Sequence, residues 1–501
     1  MKLGLKHSYA NDLPGFHVPA LPERAPAPRL LFWNQELGDS LGLDLAAEGE
    51  ASLADLFSGN RLPEDARTIA QAYAGHQFGH FSSQLGDGRA LLLGEVVDPA
   101  GKRFDLAFKG SGLTAFSRGG DGKAAVGPML REALIGEFLN AMGIPTSRAL
   151  AVVATGEEVQ REVALPGAVL TRVAASHIRV GTFEFFAARS DVQRARRLAD
   201  YAIARHDPDL VGQPGRHLAF LRAVARRQAR LVAQWMNVGF IHGVMNTDNV
   251  TVSGESIDFG PCAFLEAYDP ATVFSSIDRQ GRYAFGNQAH IAQWNHARLC
   301  EAFLPLLGDD ETIAAKLAME IIDGFPQLYA DFLLEGQRAK LGFSRRSASD
   351  DPSDAKLVED WYQLLEADRI DFTLAWRRLA DAAEGRDEPL QTLFTDGQAI
   401  ESWLGRWRSR CAAEDSGADP VDGTSSRTRA TAMRKVNPIV IPRNHLVEEA
   451  LEAASVHGDL GPFVKLIEAL RSPFELRPGE ERFAEPAPAE LTSRYRTYCG
   501  T

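Results

Sequence analysis

The sequence predicts an α+β protein built as two lobes, strand-rich first and helical second. Two observations carry this. Between residues 66 and 173, short apolar runs of strand length surround a single amphipathic helix. From about residue 190 onward, long amphipathic helices dominate. A cleft between such lobes is the expected place for a ligand. The chain has 501 residues, of which 45% are hydrophobic and 24% charged. That balance excludes disorder over most of the length. At about 150 residues per domain the length suggests roughly three units, or one large unit with additions. It suffices for a sizeable core without disulfide staples.

The elements follow in order. Residues 1–65 are Pro-rich (LPERAPAPRLLFWNQ) and read as an extension wrapping the larger body. The expected strands are ALLLGEVV at 90–97, FDLAFKG at 104–110, ALAVVAT at 149–155 and GAVLTRVA at 167–174. Among them MLREALIGEFLNAMG, 129–143, places Met129, Leu130, Ala133, Leu134 and Phe138 at helical spacing. Pro128 suits its first turn and Gly143 its end. Residues 174–501 form the helical lobe, with helices expected at 191–206, 217–239, 291–307, 311–325 and 358–367. Polar stretches at 344–354 and 414–430 read as loops.

Charge and cysteine content narrow the function. With 54 basic and 67 acidic residues the net charge is -13, which counts against a general nucleic-acid binder but not against a local basic pocket. The four cysteines, Cys262, Cys300, Cys411 and Cys499, form no C-x-x-C pair, so neither a structural zinc nor a secreted disulfide framework is expected. Cys300 lies in an apolar helical pattern and is expected in the core. No export or transit signal and no membrane-spanning run are legible. The expectation is a cytoplasmic protein, a monomer, with no membrane partner.

The chemistry concentrates in GFIHGVMNTDNVTVSGESIDFG, 239–260. His242 is followed by Asn249, a strand-like VTV and Asp258-Phe259-Gly260. Asn249 and Asp258, on loops flanking a short hairpin, would converge on one divalent cation. Mg2+ prefers oxygen ligands and takes few from the protein. This H-x6-N…D-F-G spacing resembles the catalytic and metal loops of protein kinases. The kinase base position, however, holds Val244, while an aspartate stands at Asp248. In the first lobe, Gly86 and Gly88 with Arg89 resemble a phosphate loop. Lys109 ends a strand, and Glu132 is its natural ion-pair partner, with Glu137 as rival. The insert GSGLTAFSRGGDGKAAVGP sets Asp121 and Gly122 within reach of a nucleotide. Arg172 and Arg179, about two helical turns apart, would share one side of a helical stretch. Taken alone, each feature also has a plain reading: a turn, a solvated strand end, a flexible loop, surface ion pairs.

Together the segments YAGHQFGHFSSQLGDGRA, FKGSGLTAFSRGGDGKAAVGPMLREALIGE, LTRVAASHIRVGTFE, HGVMNTDN, IDFGPCAFLEAYDP, GRYAFGNQ and NPIVIPRNH closely resemble the SelO family of protein adenylyltransferases, known as YdiU in bacteria. The resemblance implies a protein-kinase-like fold lacking the usual catalytic aspartate. It implies ATP bound in a flipped orientation, and AMP transfer to Ser, Thr or Tyr hydroxyls of proteins, the enzyme itself included, with release of pyrophosphate. It further implies a nucleotide site of Gly86, Gly88, Arg89, Lys109, Asp121, Gly122, Arg172, Arg179 and Asp258. Asn249 and Asp258 would hold Mg2+ or Mn2+, and Asp248 would accept the proton. It also implies a redox link between Cys262 and Cys499.

The physics agrees with that chemistry. When AMP is transferred, charge builds on the departing pyrophosphate, which needs cations around the β and γ phosphates. The arginines therefore favour adenylyl over phosphoryl transfer. Two alternatives stand beside it: a kinase-like phosphotransferase using Asp248, and an inactive nucleotide-binding scaffold.

Overall fold

The computed structural model describes residues 1–344, 351–416 and 426–498, with Asp351 and Ser493 described in backbone alone. Its centre is one antiparallel sheet. The strands in chain order are β1 (His17–Pro19), β2 (Arg29–Trp33), β3 (Ile69–Gln71), β4 (Gly75–Gln77), β5 (His80–Ser82), β6 (Ala90–Val97), β7 (Arg103–Lys109), β8 (Ala124–Ala125), β9 (Arg148–Gln160) and β10 (Ala164–Ala174). The main sheet runs β1-β3-β6-β7-β10-β9-β2, with β8 attached to β10, while β4 and β5 form a separate hairpin. The four expected strands are present, β6 at its expected bounds. β6 reads as a continuous apolar run because all but its last residue are buried.

Residues 1–65 do more than wrap. They contribute both edge strands, β1 and β2, together with helices α1 (Ser8–Asp12), α2 (Gln35–Ser40) and α3 (Glu50–Ser58). Leu53, Leu56 and Phe57 of α3 share a core with Leu106 and Phe108 of β7. Both edges of the sheet are therefore short strands, of three and five residues, which limits the row of unpaired backbone groups they present.

Helix α4 (Val126–Ala141) packs on β9 and β10. It is followed by α5 (Val180–Ala187), α6 (Val192–His206), α7 (Arg216–Val238), α8 (Gln288–Leu307) and α9 (Glu311–Leu341). α9 continues well past the expected end, through Pro326. A proline inside a helix orphans the carbonyl four residues earlier. Here that carbonyl, Ile322 O, accepts a hydrogen bond from Gln293 Nε2 of α8 at 2.9 Å. The tertiary neighbour thus removes the reason for the helix to stop.

The two expected loops are corrected in part. Residues 351–354 belong to the helix Asp351–Ala367, residues 414–416 to the helix Gly397–Ser416, and residues 426–430 to the helix Ser426–Arg434. Asp354 is buried, accepting from Arg338 Nε at 2.7 Å and Arg410 Nε at 2.8 Å. Polar composition suggested a loop, but an ion pair between distant helices buries the polar group instead. Residues 345–350 and 417–425 lie outside the described residues. Among the described residues no helix is long and apolar enough to cross a membrane.

Candidate active site

The loops after α7 are brought together by β11 (Phe240–Ile241) pairing with β12 (Ala263–Phe264). His242, fully buried, lies with Nε2 2.8 Å from the carbonyl of Ile257, which ties the start of one loop to the residue before Asp258. The VTV run does not form a strand. It makes single contacts with the segment before α5: Val180 N–H donates to Val250 O, and Val252 N–H to Ile178 O. These set Arg179, the N-cap of α5, beside the loop that carries Asp248.

Arg172 and Arg179 do not share a helix, contrary to the helical expectation. Arg172 is on β10, and Arg179 follows a turn out of that strand. They converge all the same. Asp258 Oδ1 accepts from Lys109 Nζ and from Arg172 Nη1, each at 2.8 Å, and Asp258 Oδ2 from Arg179 Nη2 at 3.4 Å. Burial would raise the Asp258 pKa, but Lys109, Arg172 and Arg179 overcome it and hold the carboxyl well below the usual range. Its backbone sits at φ 64°, a left-handed conformation that aspartate tolerates better than most residues. Lys109 also pairs with Glu132 on α4. The rival Glu137 is taken by Arg148 at 2.6 Å and Arg471 at 3.0 Å.

These groups line a cavity of about 850 Å3. On its wall Arg179 stacks over the Tyr73 ring at 4.6 Å, while its Nε and Nη1 are buried without a hydrogen-bond partner. Asp87 lies 3.7 Å from Nη1, an ion-pair distance but not a hydrogen bond. Uncommitted guanidinium donors beside an open cavity suit an anionic ligand. Arg89 also lines the cavity, half-buried.

The glycine loop needs its glycines. Gly86 has φ +78°, and a Cβ there would collide with the Phe116 ring. The insert after β7 docks on this loop: Thr114 Oγ1 donates to Asp87 O at 2.6 Å, and a Cβ on Gly88 would lie 2.7 Å from Phe116 O. Gly122 has φ +69°, and a Cβ there would strike the Gly112 carbonyl. Asp121 lines the cavity but is bound by Arg161 at 2.7 Å, which lowers its pKa.

Asp248 lines the same cavity, half-buried, and desolvation pushes its carboxyl up to about 7. Its Oδ1 accepts from Gln77 Nε2 at 2.6 Å. Asn249 donates Nδ2–H to the Val244 carbonyl at 3.0 Å, which leaves its Oδ1 as the free end of the amide. That oxygen and the Asp258 carboxylate are the hard oxygen donors a divalent cation takes. Among the described residues no group of three or more His, Cys, Asp or Glu has metal-site geometry. Cys262 is buried, and burial pushes its thiol up to about 12. Its expected partner, Cys499, lies outside the described residues.

Sequence reasoning gave no role to Tyr73, Gln77, Asn246 or Phe116, which also line the cavity. Asn246 Nδ2 donates to Gln77 Oε1 at 3.1 Å, and its Oδ1 accepts from Phe78 N–H and the Tyr283 hydroxyl. The only signal for these residues was their place inside the segments quoted above; no periodicity marks them.

Fold and cavity together define a mixed α/β protein with a cavity lined by several Lys and Arg side chains. Comparison with known proteins identifies its relatives. The family model for protein adenylyltransferase SelO matches residues 1–471. A Chromobacterium violaceum protein nucleotidyltransferase YdiU is 58% identical over 490 residues, covering 98% of this chain and 100% of that one. A Cereibacter sphaeroides protein of the same name is 57% identical over 507 residues, covering 100% of both chains. A third, from a Mycobacterium species, is 52% identical over 499 residues, covering 100% of this chain and 99% of its own. The chain belongs to the SelO family of protein adenylyltransferases.

Proposed function

We propose that this enzyme transfers AMP from ATP to Ser, Thr or Tyr hydroxyls of proteins, its own chain among them, and releases pyrophosphate. The supporting observation is the convergence of Lys109, Arg172 and Arg179 on Asp258, with two Arg179 donors unspent at the cavity wall. ATP would lie in the flipped orientation, its β and γ phosphates against these cations. Gly86, Gly88 and Arg89 would hold the triphosphate from the sheet side, with Asp121 and Gly122 on the opposite loop. The arrangement is read as protein-kinase-like, with residues 66–173 as the first lobe, 174–501 as the helical lobe and 1–65 bracing the sheet.

The acceptor oxygen attacks the α phosphorus. One O–P bond forms, the bond to the β-phosphate oxygen breaks, and pyrophosphate leaves with the electron pair. Asp248, whose carboxyl is raised toward the neutral range by burial, takes the hydroxyl proton. Gln77 holds one Asp248 oxygen and so fixes the direction of the other. Asn249 and Asp258 would bind Mg2+ or Mn2+, which when bound supplies further positive charge to the phosphates. Lys109, anchored by Glu132, offsets charge on the departing group. On this reading the enzyme works as a monomer in the cytoplasm. Its redox control would come from Cys262 and Cys499.

The test is isotopic. ATP labelled at the α phosphate should mark protein, and ATP labelled at the γ phosphate should not. The reverse pattern would identify a phosphotransferase, and ATP binding with no label from either would identify a scaffold; both sink the proposal.

A further inference from the structure

A buried polar chain behind the cavity has no part in the chemistry above. Lys109, Ala107 and Asp105 alternate on one face of β7, and the strand register sets Arg172 of β10 opposite Ala107. Arg172 therefore shares a face with Lys109 and Asp105, and the small Ala107 leaves room for its side chain. Beyond β10 the chain turns back. His177 N–H donates to Asp105 Oδ2 at 2.9 Å, and His177 Nδ1 lies 3.1 Å from the same oxygen. On the other side of the ring, Arg172 Nε lies 3.2 Å from His177 Nε2. All three residues are under 5% exposed, so water does not substitute for any of these contacts.

The donors determine the tautomer. A guanidinium Nε can only donate, so His177 Nε2 must accept. The ring proton then sits on Nδ1 and is donated to Asp105. Asp105 is itself held, because Arg205 Nη2 donates to its Oδ1 at 2.7 Å while Arg205 Nη1 lies 3.3 Å from Glu95. Burial pushes the His177 pKa down to about 4, against the pull of Asp105, so the ring stays neutral. A charged imidazolium would present a donor to a donor.

We infer that His177 is a positioning residue for the transfer reaction: Asp105 fixes its tautomer, and its Nε2 fixes the rotation of the Arg172 guanidinium toward Asp258 and the phosphates. This rests on the nucleotide site proposed above. Residues that orient a metal ligand through a hydrogen bond are typically worth about ten- to hundredfold in affinity or activity, and the same scale is expected for one that orients a phosphate-binding guanidinium.

A double-mutant cycle on the full chain tests it, read by ATP affinity and by AMP transfer. His177→Leu keeps bulk but neither donates nor accepts, and should cost about ten- to hundredfold in one or both readouts. His177→Gln, whose amide can donate to Asp105 and accept from Arg172, should recover most of that loss. In an Arg172→Lys background the charge remains but the Nε donor is gone, and there His177→Leu should cost less than about twofold more. Where His177→Leu does not fold, His177→Asn takes its place, since its shorter amide reaches Asp105 but not Arg172. An equal loss in the Arg172→Lys background, or no recovery with His177→Gln, overturns the assignment. If the wild-type chain binds ATP without transferring AMP, the proposed reaction fails while the affinity cycle still decides on His177. A wild-type chain that binds no ATP overturns both.

Discussion

Two buried clusters of charge in this molecule are built to opposite plans. Around Asp258, three cations converge on one carboxylate beside a cavity, with Glu132 and Asp87 as further counter-charges, and two guanidinium nitrogens of Arg179 make no hydrogen bond. Around Arg443, two carboxylates close on one guanidinium: Asp371 Oδ2 accepts at 2.6 Å, and Glu266 lies on the same Nη1. Neither Arg443 nor its partners border the cavity. Asp371 also caps the helix Phe372–Ala383 by accepting from Leu374 N–H at 2.7 Å. The difference separates a site from a clamp. Cations that line a cavity and keep donor capacity can stabilise a polyanion bound there. A guanidinium outnumbered by carboxylates inside packed protein spends its charge on holding segments together, and burial there raises the Glu266 pKa against the pull of Arg443.

The comparison breaks most clearly at Asp258. Asp258→Ala should lower AMP transfer by about a thousandfold, since the carboxylate that orients Lys109, Arg172 and Arg179 and would hold the metal is lost. Transfer from α-labelled ATP measures this, and full activity in the folded variant would show that the site has been misassigned. Arg443→Met should behave in the opposite way. It leaves Glu266 and Asp371 buried without a counter-charge, at a cost of about 3–5 kcal/mol in stability. Denaturant unfolding reads that loss, while transfer per folded molecule should stay within about twofold, as for distant sites.

A smaller effect concerns a titratable group buried with no counter-charge. His296 of α8 is 2% exposed, its ring nitrogens have no hydrogen-bond partner among the described residues, and burial pushes its pKa down to about 4. An unfolded histidine titrates near 6.5. Between those values the unfolded chain holds a proton that the folded chain does not, so stability falls as pH drops through this window. The contribution is at most about 1.4 kcal/mol per pH unit. His296→Leu should remove it, so the variant should gain on wild type between pH 6.5 and pH 4 in unfolding measurements. A difference that does not change with pH would show that His296 is charged or hydrated in the fold.

Much of this was legible because it is local. β6 and β7 declare themselves through apolar runs, and α4 through apolar residues at helical spacing bounded by Pro128 and Gly143. The pairing of Lys109 with Glu132 was expected from the resemblance to kinases, with Glu137 as the rival, and the structure places Lys109 on Glu132. What escaped notice depends on partners far away in sequence. The loop expected at 351–354 is helix because Asp354 meets Arg338 and Arg410, and α9 runs through Pro326 because Gln293 caps the freed carbonyl.

The site divides along the same line. By itself the sequence determined which residue types were present and on which loops they stood: Gly86 and Gly88, Lys109, Asp248, Asn249, Asp258, and two arginines of unknown direction. A net charge of -13, from 54 basic and 67 acidic residues, left room for a local cluster of cations. Only the tertiary structure decided that Arg172 reaches Asp258 from a strand and Arg179 from a helix N-terminus. It alone set His177 between Asp105 and Arg172, and Gln77 on Asp248. The reason is physical. Periodicity records which face of an element is buried, but strand register and loop closure decide which buried groups meet, and both are set by contacts between distant segments.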